Sequence, residues 1–376
     1  MDNPGIPFTV IAFLLVIGPL IFVHELGHYL VGRWFGVQAE TFSIGFGREI
    51  TGWTDKRGTR WKLAWLPLGG YVKFKGDMNP ASVADPEWIK LPPEERAKTF
   101  QSKKVWQRFL IVFAGPAINF LVAILIFIGL FGAMGYPRTP PVVGEVAPGS
   151  AAAAAGLQTG DVIRSVAGRE VDRFQDIQRT VAIRPNERLR IELVRNGQEL
   201  EIVATPNVQV ERDRFGNEFR RGLLGFGAGA PTVDHIPWYA LPGAAVRQVK
   251  DTVVMIVETL GQVITGRRSI KEMGGPLKIA QFSGQQATLG FGAFMLFMAL
   301  VSINLGFINL LPIPMLDGGH LLFYMIEGVR RKPLAPETQE WAFRTGLAAL
   351  LALMVFVTFN DLASFGVWQR LGGLIG

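Results

Sequence analysis

Four stretches of the chain are apolar for long enough to cross a bilayer as helix, which takes about 20 residues. They run from about Ile6 to Trp34, Phe109 to Met134, Gly290 to Leu311 and Leu347 to Val367. Each contains Gly or Pro, which lipid-embedded helices tolerate when neighbours re-satisfy the backbone. Between the second and third stretches the texture changes. From about Pro141 to Gly227 short Val/Ile/Leu runs alternate with charged residues, and Leu189–Val194, the pair Asn196 and Gly197, and Leu200–Ala204 predict a hairpin. Thr41–Ile50 and Arg60–Lys75 alternate in part around Asp55, Lys56, Arg57 and Gly58, which predicts a second hairpin, and Lys90–Arg108 reads as a charged, solvated linker. Val246, Val249, Val253, Ile256, Leu260 and Ile264 recur at helical spacing among charged positions, an amphipathic helix lying on a membrane or against other helices. Gly274, Gly275 and Pro276 mark a turn before the third span.

The predicted fold class is a polytopic α-helical membrane protein with four transmembrane helices and an inserted small α+β domain. The expected segments are a first helix (1–36), a cytoplasmic segment with a β-hairpin (37–108), a second helix (109–135), the soluble domain (140–228), an amphipathic linker (232–289), a third helix (290–320), a cytoplasmic loop (321–341) and a fourth helix (342–368).

Composition narrows the function. Of 376 residues, 49% are hydrophobic and 18% charged, which excludes a disordered chain. There is no Cys, so disulfides, thiolate metal sites and Cys nucleophiles are excluded together. The net charge of +7 comes without a basic stripe interleaved with aromatics, so no nucleic-acid partner is expected; the expected partner is the lipid bilayer. Arg33–Arg108 holds 14 Lys/Arg against 8 Asp/Glu, whereas Met1–Pro7 holds no Lys or Arg. The positive-inside rule then makes 33–108 cytoplasmic and both termini and the inserted domain external. The first stretch is expected to be a retained span and not a cleaved leader, since it lacks a basic start and carries His and Glu.

The chain has four His, and two of them fall in His24, Glu25, Leu26, Gly27, His28. On a helix, positions i and i+4 share a face, so the two imidazoles can hold one Zn²⁺ while Glu25 takes a proton from a water at the open position. An ionisable side chain at that depth costs roughly 2.5–3.5 kcal/mol on insertion scales, so Glu25 needs a compensating role. Gluing helices together is the plainer role. Two His leave a catalytic zinc site one ligand short. Asp317, after the Pro312 and Pro314 break, is an acceptable oxygen ligand and equally a cap for a short helix starting near Gly318; His320, three residues on, competes for the metal.

Two resemblances sharpen this reading. The run from Gly144 to Ile163, with Ala155, Gly156, Leu157, Gly160, Asp161 and Ile163, resembles the PDZ family in its bacterial protease-associated form, whose members capture extended peptides or C-termini by strand addition. The His-Glu pattern in the first span, Gly115, Pro116 and Asn119 in the second, the PDZ-like domain, and the run Asn309 to His320 together resemble the site-2 protease family, within it the bacterial RseP-like intramembrane zinc metalloproteases. The resemblance covers nearly the whole chain. It implies zinc on His24, His28 and Asp317, with Glu25 activating the water, and Asn309 and Asn304 helping to position substrate. Gly69, Gly70 and Tyr71 resemble the family's membrane-associated β-loop, which pairs with an extended substrate. It further implies a bacterial inner membrane and, as substrates, single-pass membrane proteins such as anti-sigma factors and signal peptides. Some relatives carry two tandem PDZ domains; this chain has room for one before residue 232. A non-enzymatic PDZ membrane adaptor is the alternative, separable by metal content. A transporter would predict internal repeats, and the spans show none.

Overall fold

The long apolar runs are helical because nothing in lipid can satisfy their backbone from outside. The computed structural model describes residues 4–78, 86–212, 218–266, 274–332 and 335–364. In chain order its elements are α1 (Ile6–Trp34), β1 (Ala39–Thr54), β2 (Arg60–Phe74), α2 (Pro93–Arg96), α3 (Val105–Met134), β3 (Tyr136–Arg138), β4 (Val143–Val146), α4 (Ala151–Ala154), β5 (Val162–Val166), β6 (Arg169–Glu170), α5 (Phe174–Ala182), β7 (Leu189–Arg195), β8 (Gln198–Ala204), β9 (Asn207–Arg212), β10 (Glu218–Leu223), β11 (Phe226–Ala228) and β12 (Thr232–Asp234). Four helices follow that are longer than a few turns: α6 (Leu241–Ile264), α7 (Pro276–Thr288), α8 (Phe291–Leu310) and α9 (Asp317–Arg330), and α10 (Pro336–Ser364) closes the described chain. Helices α1, α3, α8 and α10 are long and apolar enough to cross a membrane. Residues 365–368 of the expected fourth span lie outside the described residues.

The chain divides into two units, one of Met1–Phe127, Val246–Ile256 and Met273–Gly376, the other of Ile128–Ala245 and Val257–Glu272. In the first unit, β1 and β2 each fold in two. Thr41–Ile44 pairs on one side with Arg60–Leu63 and on the other with Gly70–Lys73, while Thr51–Thr54 pairs with the far side of Arg60–Leu63. Two strands thus make a curled sheet of four ribbons, with Gly70–Lys73 at one edge. Its inner residues Phe42, Val72 and Phe74 pack with Tyr29 of α1, Ile111 of α3 and Leu321 and Tyr324 of α9. That core also takes in Phe100, buried with its ring 5.6 Å from Phe74, so the expected solvated linker is pinned by one aromatic side chain.

Three expected boundaries shift. The third span is not one helix to residue 320. Helix α8 ends at Leu310, Pro312 and Pro314 withhold backbone donors, and Met315 turns the chain at φ +80°. Asp317 then opens α9, which runs to Arg330 through most of the expected loop. Asp317 stands inside the first turn and makes no capping hydrogen bond; the cap position is Leu316. Residues 232–289 hold two helices, because Pro276 suits a helix start and opens α7 where a turn was expected. Both carboxylate oxygens of the buried Asp361 accept from the Gly275 N–H at 3.1 Å, and one accepts from Lys278 N–H at 3.2 Å, tying α10 to the orphan donors of α7.

The second unit centres on the antiparallel sheet β6-β5-β7-β8, with β4 paired to β11. Asn196 and Gly197, both at positive φ, close the β7–β8 hairpin. Ile163, Val166, Ile177, Leu189, Ile191 and Leu193 form its core against α5. The turn into β5 is fixed by Asp161, which accepts both arms of the Arg195 guanidinium at 2.7 Å and the Gln158 N–H at 2.8 Å. Burial opposes the charge, but the Arg195 and backbone hydrogen bonds prevail and hold the Asp161 carboxyl below the usual range. A carboxyl with a lowered folded pKa contributes its stability at neutral pH and loses it as pH falls through that value. In the full chain, Asp161→Asn should therefore weaken hydrogen-exchange protection of β5 and β7 by about 1–3 kcal/mol at neutral pH. Wild-type protection should converge on that of the variant below about pH 4; equal protection at neutral pH would refute this.

Candidate metal centre

Helix periodicity places His24 and His28 one turn apart on the buried side of α1. Their Nε2 atoms lie 3.3 Å apart. The Oδ2 of Asp317 lies 3.1 Å from His24 Nε2 and 3.5 Å from His28 Nε2. Among the described residues these three form the group that could hold a metal ion. A tetrahedral Zn²⁺ with N and O ligands at about 2.0–2.2 Å places its ligand atoms about 3.3–3.5 Å apart. The observed edges of 3.1, 3.3 and 3.5 Å bracket that spacing from slightly below. Asp317 Oδ2 is buried and without a hydrogen-bond partner, an acceptor aimed at the two imidazoles. The donor set and its spacing fit a single divalent ion.

Close approach of the helices makes this convergence possible. A Cβ on Gly115 of α3 would sit 2.2 Å from His28 Nε2, and one on Gly27 of α1 would sit 2.5 Å from the Ala114 carbonyl oxygen. Only Gly admits the imidazole and the α1–α3 contact at these points. Across the Pro-rich break, a Cβ on Gly318 would meet the Leu311 carbonyl oxygen at 2.2 Å and one on Gly319 the Ile313 oxygen at 2.5 Å. These two glycines let the first turn of α9 close on the end of α8 and carry Asp317 to the histidines.

The orientation of His28 is fixed from α3: its Nδ1–H donates to the Ile111 carbonyl at 2.9 Å, which leaves Nε2 bare and facing Asp317. His24 meets Asn119 of the same helix, with Nδ1 3.0 Å from Nδ2. Ile111, Gly115 and Asn119 recur every four residues and so share one face of α3. Ser302 of α8 donates to the Asn119 backbone oxygen at 2.8 Å, joining α8 to that face.

The other predicted site residues divide. Glu25 is buried next to the histidines, under the edge ribbon of the hairpin: a Cβ on Gly70 would lie 2.8 Å from Glu25 Cγ and 2.7 Å from the Ser43 oxygen. Gly69 has φ +137°, and a Cβ there would press on the Phe46 ring at 2.6 Å. Tyr71 stacks on Phe46 with centroids 6.0 Å apart. Asn309 Nδ2 lies 3.5 Å from His24 Nε2, at the rim of the group. Asn304 does not join them; it is exposed and donates to the Leu300 carbonyl of its own helix at 3.0 Å. His320 is outside the group, its ring 4.9 Å from that of Phe343. The sequence singled out Gly115 and Asn119 only as part of the family motif, without a place in the site, and gave no role to Gly27. The readable signal was Asn119 itself, a polar amide in an otherwise apolar span.

The model of peptidase family M50 matches residues 12–353. Among curated proteins, the chain is 45% identical over 361 residues to "Putative zinc metalloprotease Atu1380" of Agrobacterium fabrum, an alignment covering 94% of this chain and 96% of the relative. It is 42% identical over 367 residues to "Putative zinc metalloprotease R01501" of Rhizobium meliloti, covering 96% and 98%. It is 38% identical over 396 residues to "Metalloprotease MmpA" of Caulobacter vibrioides, covering 98% and 99%. With four apolar helices of spanning length, the chain is a membrane protein of this kind. The resemblance carried by the His-Glu and Asn-Leu-Leu-Pro runs is therefore one of descent: the chain belongs to peptidase family M50, the site-2 protease family.

Proposed function

We propose that the chain is an intramembrane zinc metalloendopeptidase that cuts the transmembrane segments of single-pass membrane proteins. The observation that carries this reading is the triangle of His24 Nε2, His28 Nε2 and Asp317 Oδ2, whose 3.1, 3.3 and 3.5 Å edges match tetrahedral zinc. Zinc held there would supply a Lewis acid and lower the pKa of a water toward 7. Glu25, one residue from the first ligand, accepts the proton of the attacking water and returns it to the leaving amide nitrogen. The amide of Asn309 at the rim donates to the substrate backbone; Asn304, engaged with its own helix, is not assigned that role.

A transmembrane substrate hides its peptide bonds in internal hydrogen bonds and must be unwound before it is cut. The Gly70–Lys73 ribbon is an edge of the curled sheet directly over Glu25, and Gly69, Gly70 and Tyr71 offer an extended substrate backbone partners in exchange. The small β-rich unit, whose sheet and α5 suit a PDZ-like domain, lies on the periplasmic side and admits or restrains substrates there. The charge asymmetry supports N- and C-termini on that side of a bacterial inner membrane. Anti-sigma-factor-like proteins and signal peptides are the substrates that suit this arrangement.

Glu25→Gln should keep about one zinc per chain while cleavage of a model transmembrane segment in detergent falls by about 10²–10⁴. Undiminished turnover by the zinc-loaded variant would remove Glu25 from the chemistry. A non-enzymatic adaptor predicts instead that wild type holds no stoichiometric zinc and cleaves nothing. Metal analysis also tests the glycine in α3. Gly115→Ala should displace the His28 imidazole and lower bound zinc well below one per chain, whereas Gly129→Ala, with nothing within 4 Å of its Cβ, should not.

A further inference from the structure

The two imidazoles are held from behind by one helix, but unequally. His28 is settled: a carbonyl accepts its Nδ1–H, so the lone pair is on Nε2. His24 faces a side-chain amide, which can either donate or accept. Asn119 is fully buried, its Nδ2 lies 3.0 Å from His24 Nδ1, and its Oδ1 is buried without a hydrogen-bond partner. An orphaned buried amide oxygen costs about 1–3 kcal/mol. A half-turn of the amide about its last side-chain bond exchanges oxygen and nitrogen in nearly the same space. The oxygen then accepts from His24 Nδ1–H. That pairs the oxygen, moves the NH₂ to its former place, and leaves the Nε2 lone pair of His24 facing Asp317, as in His28.

We propose that Asn119 is the positioning residue of the site: its side-chain oxygen accepts the Nδ1–H of His24 and so holds that ring in the tautomer whose Nε2 can bind a divalent ion. The inference rests on the reading of His24 as a metal ligand. Its parts stand on a single face of α3, where the Ile111 carbonyl serves His28, Gly115 makes room for the ring, and Asn119 serves His24. Ser302 fixes the height of Asn119 by donating to its backbone oxygen, a bond that side-chain substitution at 119 leaves in place.

The test compares Asn119→Asp with Asn119→Leu in the full-length protein in detergent, reading zinc affinity by competition with a chelator. Aspartate keeps an acceptor at the same place; leucine keeps the volume and loses it. The expected result is a roughly 10- to 100-fold weaker affinity for Asn119→Leu and near wild-type affinity for Asn119→Asp. A residue that merely fills space predicts the reverse order, because leucine packs and a buried carboxylate does not; that order, or wild-type affinity in Asn119→Leu, overturns the proposal. Should neither variant fold, the zinc-loaded wild type labelled with ¹⁵N-histidine decides. A slowly exchanging Nδ1–H on His24 supports the proposal, and a zinc-free Nε2–H on that ring overturns it. If wild type itself binds no zinc and His24→Ala changes nothing, the metal reading fails and this inference with it. If wild type binds zinc and only the Asn119 order is wrong, the metal reading stands alone.

Discussion

Two imidazole nitrogens and a carboxylate oxygen can meet within 3.5 Å of one another inside an apolar bundle only if the helices that carry them approach closer than ordinary side chains allow. Here the approach depends on backbone lying against side chain and backbone against backbone. Gly115 presents a bare Cα to the His28 ring, and Gly27 lies on the Ala114 carbonyl. Gly318 and Gly319 fold the first turn of α9 onto the carbonyls that end α8. Each glycine costs helix propensity, roughly 1 kcal/mol relative to alanine, and that cost is offset only where the close contact is needed. Positions without such contacts, among them Gly18, Gly129, Gly261 and Gly328, show that helical glycine in this chain is not confined to the site.

The same contacts explain why a separate helix carries the carboxylate. Had α8 continued through residue 317, Asp317 would stand nearly two turns beyond Leu310 along the α8 axis. The two prolines and the positive φ of Met315 reverse that extension and start α9 beside the histidines. Gly346 of α10 packs its Cα on Pro314, where a Cβ would meet the Pro314 oxygen at 2.6 Å, so the fourth span supports the break from behind. The group thus draws on three parts of the first unit: α1 brings two imidazoles, α3 packs behind them, and α9 brings the acid.

Much of this was legible. Long apolar runs give helices in lipid whatever their neighbours, so α1, α3, α8 and α10 could be read directly, and the His24–His28 spacing needed only helix geometry. The Asn196–Gly197 turn announced its hairpin for the same local reason. What could not be read was tertiary. The doubling of β1 and β2 into four ribbons depends on pairing across the curl, and the two halves of each strand look alike in alternation. Phe100 sits in a charged segment whose composition says solvent, yet one aromatic ring finds the core. Asn119 was readable as part of the Gly115, Pro116 and Asn119 motif, but its partner was not, because that depends on a helix that meets α3 only in the fold. Asp317 was readable as an acid after a break, but whether it capped a helix or faced the histidines was decided by one residue of register.

That register has an electrostatic consequence. Asp317 is the first residue of α9, so its carboxylate stands at the positive end of a 14-residue helix that has no side-chain cap. The dipole favours negative charge there by about 0.3–1 kcal/mol at exposed sites and up to about 2 in partly buried ones. No Lys or Arg ion pair with Asp317 occurs among the described residues; its partners are the two histidines. A strong cationic partner would compete for the carboxylate oxygen that the imidazoles share, whereas a helix terminus supports the charge without occupying that oxygen. The helix terminus therefore favours negative charge on the carboxyl while Oδ2 stays open toward His24 and His28.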